Sequence, residues 1–353
     1  MNILLIGAYP PPTGGNSVHI KRLKETLSAK GCKCTVIDIY GNPTPEIRQP
    51  DIHRIGPAGF GALLKCISLI KKTPHDVIHF HVSAMERFLY AGHILTLFAE
   101  SRAKKILTIH SGQFVDTYQS LPKIKQKVLS RLFHQFTHII VVNSGQKRLL
   151  EDIGVTSDKV SVIPAYIPPE LTSFPEAETI LNALKEDDRT LIVSSGYGEP
   201  LYGYHRIVGA IASNPVLTKK TSLLLCLYNR YDQEYMSQIE SSLRKLESVQ
   251  IIRDLNSEQF AYLLSKSNMY IRATDSDGDA VAIREAAHFG LSVIASNIGE
   301  RPEYCRLFNV DDTISLGNQI LESISHPTVE SDASERMEST VDKIFKIYAK
   351  NKK

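Results

Sequence analysis

Between two apolar runs the chain reads "YIRATDSDGDAVAIREAAHFGLSVIAS", Tyr270 to Ser296, placing Asp275, Asp277, Asp279 and Glu285 where a strand hands over to a helix. Carboxylates at such a turn can ligate a hard cation or cap the helix. A calcium loop of the EF-hand type needs Gly at its sixth position and Glu at its twelfth. Counted from Asp275 these are Ala280 and Ala286, so that reading fails. Capping suits Asp279, whose side chain can accept backbone N–H bonds while acidic residues offset the helix dipole. It leaves Glu285, inside the helix, unexplained. Other residues with chemistry to offer are fewer. "ILTIHSGQF" puts His110 at the carboxyl end of a strand, and His79 and His81 alternate onto one face of "DVIHFH". Two histidines without a third ligand make no zinc site, so they are expected to line the core or a cleft.

The elements that would position these residues follow a regular scheme. "NILLIG" (2–7), "CTVID" (34–38), "DVIHFH" (76–81), "KILTIH" (105–110), "HIIVVN" (138–143) and "VSVIPA" (160–165) are short, β-branched and mostly apolar. "TLIVSSG" (190–196), "TSLLLCLY" (221–228), "SVQIIRD" (248–254), "NMYIRAT" (268–274) and "LSVIAS" (291–296) repeat the pattern in the second half. Amphipathic helical stretches such as "SVHIKRLKETLSAKG" lie between them. Alternating strands and helices predict an α/β protein of two Rossmann-like domains with parallel, doubly wound sheets, their ligands held in a cleft beyond the strands' carboxyl ends. At 353 residues the length suits two domains. The prolines of "PAYIPPELTSFP" (164–175) mark the linker, which gives domains over 1–165 and 166–330 and a C-terminal helix in 331–353 expected to pack back onto the first domain.

Composition removes several function classes. The first residues carry no basic start and read as a strand, not a signal peptide. No apolar run approaches ~18 residues, so nothing is expected to span a membrane. Cys32, Cys34, Cys66, Cys226 and Cys305 form no CxxC pair and no even framework, which fits reduced thiols in a cytosol. Charge is uneven: up to Ala165 there are 21 Lys and Arg against 11 Asp and Glu, and beyond it 20 against 27. A cationic first half suits an anionic surface, and solvated lysines would give the same count. "GFGALLKCISLIKKTP" (59–74) and "LPKIKQKVLSRLFHQF" (121–136) each join an apolar face to Lys and Arg, a combination that can lie in an anionic membrane interface.

"DGDAVAIREAAHFGLSVIASNIGERPE" resembles the signature of the retaining GT-B glycosyltransferases of family 4, in which a carboxylate, seven residues and a glutamate precede a small-residue helix, a glycine and a strand. Here the pair is Asp277 and Glu285, and the family's first carboxylate is more often Glu. The resemblance implies that Asp277, with the backbone N–H groups of Gly278, Asp279, Ala280 and Val281, holds the donor sugar's hydroxyls, while Glu285 accepts from the nucleotide ribose. Such carboxylates bind sugar and require no metal, and the helix N-terminus faces the diphosphate. "LLIGAYPPPTGGNSVHI" resembles the family's opening strand and glycine loop, where Gly14 and Gly15 would let the backbone approach phosphates; "GAYPPP" is no GxGxxG fingerprint. By the same likeness His110 contacts the transferred sugar.

One departure stands out. Where many members carry Gly-Arg and Lys-Gly around the diphosphate, this chain has "SGYGEPLYG": Gly196 and Gly203 match, and Tyr197 and Tyr202 replace both cations. Arg272, ahead of Arg284 and Arg230, is the expected substitute. "DGD…IREA" with "LYGY" looks like a branch used in bacterial surface-polysaccharide assembly. That likeness implies transfer of a hexose-type sugar from a nucleotide-diphosphate donor to a polyprenyl-diphosphate-linked acceptor. The work would be done in the cytoplasm, peripherally at the inner face of the plasma membrane, with no metal, no further cofactor and no nucleic acid. Three rivals are a silent sugar-binding paralogue, a sugar-nucleotide epimerase of the same architecture, and a metal-dependent transferase using "DSD".

Overall fold

A computed structural model of the protein describes all residues except 12, 41–48, 57–58, 101, 170, 172–173, 185–188, 278–279, 327–338 and 351–353, and inside elements it leaves the side chains of Glu86, Arg87, Tyr90 and Asn229 undescribed. The chain divides into two compact units, Met1–Ile167 with Glu338–Lys353, and Pro168–Met337. The first boundary thus falls two residues beyond the predicted one, inside the proline-rich stretch.

The first unit holds seven strands: β1 (Asn2–Gly7), β2 (Lys33–Asp38), β3 (Ile52–Arg54), β4 (Val77–Val82), β5 (Lys104–Ile109), β6 (His138–Val141) and β7 (Val160–Val162). They pair in parallel in the order β3-β2-β1-β4-β5-β6-β7. Alternation along β1 shows why both faces must be covered. Leu4 and Ile6 enter one apolar core with Phe80, Phe114 and Phe133, while Ile3 and Leu5 enter a second with Ile20, Leu23 and Leu27. The second core also takes Val341, Ile344 and Tyr348 from the C-terminal helix Thr340–Ala349, which therefore belongs to the first unit. Tyr348 is fully buried; its hydroxyl meets Nδ1 of His79 at 2.5 Å, and Lys104 donates to its carbonyl.

The second unit holds β8 (Thr190–Gly198), β9 (Thr221–Tyr231), β10 (Val249–Arg253), β11 (Met269–Arg272), β12 (Ser292–Ser296) and β13 (Arg306–Phe308), parallel in the order β10-β9-β8-β11-β12-β13. Both sheets reverse strand order once, between β1 and β4 and between β8 and β11. A doubly wound sheet opens a crevice at that point, where the helices on either side leave to opposite faces. β3 and β13 carry no periodic signal in three residues each and were not expected from sequence. Both are short strands at sheet edges, held by pairing to β2 and β12.

Candidate functional site

The β8/β11 crevice gathers most of the residues named from sequence. β8 ends at Gly198, and a short turn, Pro200–Tyr202, leads into the helix Tyr204–Ala212. The two glycines explain the turn's shape. A Cβ at Gly196 would lie 1.8 Å from Cδ1 of Tyr202, so only glycine leaves that ring its seat. At Gly203 the chain is left-handed, with φ 65°, and a Cβ would lie 2.0 Å from the Ala273 carbonyl oxygen. Tyr202 thereby packs edge-on to Tyr197, ring centres 5.4 Å apart, and takes the Arg272 guanidinium on its face at 5.1 Å.

Arg272, at the end of β11, is not free to act alone. It grips Asp277 through two charge-assisted hydrogen bonds, from Nε at 2.8 Å and Nη2 at 3.1 Å, and donates a third, Nη1 to the Ser195 carbonyl at 2.9 Å. Arg301 reaches the same carboxylate at 3.2 Å, and the Thr274 hydroxyl adds a bond of 3.2 Å. Burial pushes the Asp277 carboxyl up, but Arg272 and Arg301 beside it prevail and hold it below the usual carboxylate range. Three donors converge on Oδ2 and one on Oδ1, so Asp277 keeps little accepting capacity for anything else. Two cations around one anion leave that three-residue cluster net positive, although neither tyrosine supplies any charge.

Arg301 was not singled out from sequence. Its signal was available, because "NIGERPE" follows β12, the strand beside β11, and strand ends on that side are where ligand groups belong. Arg206 is a second addition, bonding the Ala273 carbonyl at 3.1 Å and pairing with Asp275 at 2.7 Å. Arg230, one of the expected substitutes, pairs with Glu199 at 3.3 Å and lies over the Tyr197 ring at 4.7 Å. Glu285 sits on the buried face of the helix Val281–His288 and is 4% exposed. Burial, then the Cys226 thiol and the Glu285 carboxylate, push the Tyr228 phenol well up, so that phenol stays neutral beside it. The helix begins with Ala280 at its N-cap position and Val281 as its first residue. Gly278 and Asp279, expected to present N–H groups and a cap, lie outside the described residues.

The β1/β4 crevice in the first unit holds the remainder. Gly14 stands at the N-cap of the helix Gly15–Ala29, in extended conformation; the Ser17 hydroxyl accepts from its N–H at 3.0 Å and donates to its carbonyl at 3.1 Å. His110 follows β5, its backbone N–H donating to Val82 at 2.8 Å, and its Nε2 lies 3.1 Å from Nδ1 of His81. His79 is fully engaged, by Tyr348 and by the Thr108 hydroxyl at 2.7 Å. His19, from the helix Gly15–Ala29, joins them as a fourth imidazole, one not named from sequence. Beside His81 a cavity of about 370 Å³ opens, lined almost wholly by apolar groups that include Ile39, Leu63, Phe88 and Leu95, and reaching Gly59 and Ala62.

Comparison with known proteins bears on the fold. Residues 13–171 match the model of the family described as Glycosyltransferase Family 4, a span that takes in most of the first unit. A search of curated proteins finds no match. Among solved structures, sucrose-phosphate synthase from Thermosynechococcus elongatus superposes with a TM-score of 0.71 at 19% identity, covering 99% of this chain and 94% of that one. HepE from Anabaena, in complex with UDP and glucose, gives 0.70 at 14% identity over 98% of this chain and 94% of that one. A UDP-GlcNAc 2-epimerase from Neisseria meningitidis bound to UDP-GlcNAc gives 0.67 at 16% identity over 99% and 98%. The chain has the GT-B architecture of two Rossmann-like domains.

Proposed function

We propose that this protein is a glycosyltransferase that moves a hexose-type sugar from a nucleotide-diphosphate donor to a lipid-linked glycan acceptor, with retention at the anomeric carbon. The observation that carries the reading is the turn after β11, where an Asp277 clamped by two arginines precedes the helix Val281–His288 that buries Glu285. Solved structures with the same architecture include one bound to UDP and glucose and one bound to UDP-GlcNAc. The match of residues 13–171 to Glycosyltransferase Family 4 supports transfer as the reaction.

In this reading Glu285 accepts from the ribose hydroxyls, and the net positive charge of Arg272 and Arg301 over Asp277 faces the diphosphate, with N–H groups of the helix Val281–His288. Asp277 then acts chiefly by aiming the two guanidinium groups, with Oδ1 offering what capacity remains to a sugar hydroxyl. The resemblance to the family would give Gly14 and Gly15 to the donor phosphates and His110 to the transferred sugar. The acceptor hydroxyl attacks C1 from the face the diphosphate leaves; the C1–O bond to phosphate breaks as the new glycosidic bond forms. The departing phosphate oxygen takes the acceptor's proton, so no protein base and no metal is required.

An acceptor with an apolar tail suits the cavity beside His81. On the helix Phe60–Lys72 that borders it, Phe60 and Leu64 are 76% and 51% exposed, one turn apart, with Lys71 and Lys72 in the last turn. Such a face fits peripheral contact with an anionic leaflet. No described helix is long and apolar enough to cross a membrane.

The test incubates a panel of nucleotide sugars with short-chain polyprenyl-diphosphate acceptors, comparing wild type with Glu285→Gln. The expected outcome is a new glycolipid from wild type and a loss of about 100-fold or more in kcat/KM for the variant, worth ~2.7 kcal/mol, with melting temperature kept. Transfer should survive chelator. Release of an epimerised sugar without acceptor would favour epimerase activity over this reading, and equal turnover by Glu285→Gln would remove its role.

A further inference from the structure

The first unit brings together three imidazoles that the transfer reaction does not need as a set. His19 comes from the second turn of the helix Gly15–Ala29, His81 from β4 and His110 from the end of β5. One ring nitrogen of each lies within 4.8 Å of the other two. His19 and His81 are 2% and 1% exposed, and His110 is half-buried.

Their hydrogen bonds show what the cluster lacks. Nδ1 of His19 lies 2.6 Å from the Ala165 carbonyl oxygen, which can only accept, so that nitrogen carries the proton and Nε2 carries the lone pair. Among the described residues Nε2 of His19, the nitrogen with the lone pair, is buried and bonds nothing. A cluster serving only as polar packing would satisfy such atoms, because a buried unpaired acceptor is costly. The carbonyl behind His19 is the outer-shell partner that ordinarily fixes the tautomer and orientation of a metal-ligating imidazole. A tetrahedral zinc ion with Zn–N bonds of about 2.0–2.1 Å sets its nitrogens about 3.3–3.4 Å apart. Nδ1 of His81 and Nε2 of His110, at 3.1 Å, are already within a few tenths of that spacing.

We propose that His19, His81 and His110 form a binding site for a borderline divalent transition-metal ion, zinc(II) by preference, with its fourth position open toward the half-exposed His110 side. Three imidazoles and no carboxylate select zinc, copper or nickel over magnesium or calcium. An occupied site would withdraw the ring nitrogen of His110 from any sugar, so zinc would inhibit transfer. That consequence, and not the binding itself, rests on the function proposed above.

The test needs no transfer assay. Titration of the chelator-treated full-length protein with cobalt(II) should give a tetrahedral visible absorption band that saturates at a single equivalent and is displaced by zinc. His19→Gln keeps an amide able to donate toward Ala165 and should weaken binding by more than about 100-fold, since outer-shell partners alone are worth about 10–100-fold. His326→Ala, at an exposed histidine of the second unit, should leave the band unchanged. X-ray absorption of zinc-loaded wild type should show imidazole scattering from three rings, which keeps the proposal testable should His19→Gln fail to fold. Binding that persists in folded His19→Gln, an oxygen-dominated shell in the wild type, or no saturable band would overturn it. A zinc-binding protein whose transfer is indifferent to zinc would retain the site and sink the link to His110.

Discussion

The arginine pair at the second unit's crevice is the clearest case of residues explaining one another. Asp277 has two guanidinium groups on it, and the side chains of Arg272, Asp277 and Arg301 are 12%, 12% and 3% exposed. Removing the anion would leave two largely buried cations uncompensated. Asp277→Asn should therefore cost about 3–5 kcal/mol, read as a shift of the denaturant midpoint at constant slope. The change should also weaken nucleotide binding, since Arg272 and Arg301 lose the group that aims them. Glu285 belongs to a different class of residue, because Glu285→Gln preserves shape and should spare stability. Of these side chains, sequence gave the two carboxylates and Arg272 through a motif that spans one strand end and one helix. It did not give Arg301, whose partner lies 24 positions away in another loop. Local spacing reports what a turn offers; it does not report which distant turn answers it.

At the level of elements, eleven strands were readable because each alternates or runs apolar for long enough to demand a sheet. β3 and β13 were not, since three residues carry no period and are specified by their neighbour's open hydrogen bonds; β7, as short and also at an edge, was readable only because its apolar run continues to Ala165. The helix Phe60–Lys72 was readable as amphipathic, but its sequence could not say that Gly59 and Ala62 border a cavity. That cavity gives an element-level prediction. Ala62→Trp should fill it and raise KM for acceptors with a polyprenyl tail by about tenfold, while leaving donor binding intact by calorimetry; a tenfold effect corresponds to ~1.4 kcal/mol, the burial of about two methylenes. An unchanged KM would place the tail elsewhere. The C-terminal helix offers another. Tyr348→Phe strips the hydroxyl that His79 bonds inside the first unit, leaving Nδ1 unpaired, and should cost about 1–3 kcal/mol by thermal or chemical melting.

Across the whole molecule the histidines set a pH limit. Burial lowers His19 from 6.5 to about 4 and drives His79, His81 and His110 well down, so the folded state leaves them neutral where an unfolded chain takes up protons. Stability is present above about pH 6.5 and is lost as pH falls from there toward 4. Each of the four contributes a slope of up to ~1.4 kcal/mol per pH unit. Arg22 near His19 presses the same way, and the Ala165 carbonyl opposes it. For the metal-free protein, melting in chelator at pH 7.5, 6.5 and 5.5 should show a loss that steepens with acid, and a flat profile would contradict neutral imidazoles. The order of the chain through its two units has a consequence for how the protein is made. Residues up to Ile167 emerge from the ribosome early, but the segment carrying Val341, Ile344 and Tyr348 emerges only after all of the second unit. Through that interval one face of the nascent first sheet keeps the helix Gly15–Ala29 but lacks the rest of its cover, with the His79 ring missing its Tyr348 partner. Maturation of the first-made half therefore waits on the last-made helix, and a stop codon near position 338 would injure the opposite end of the polypeptide from the one it shortens.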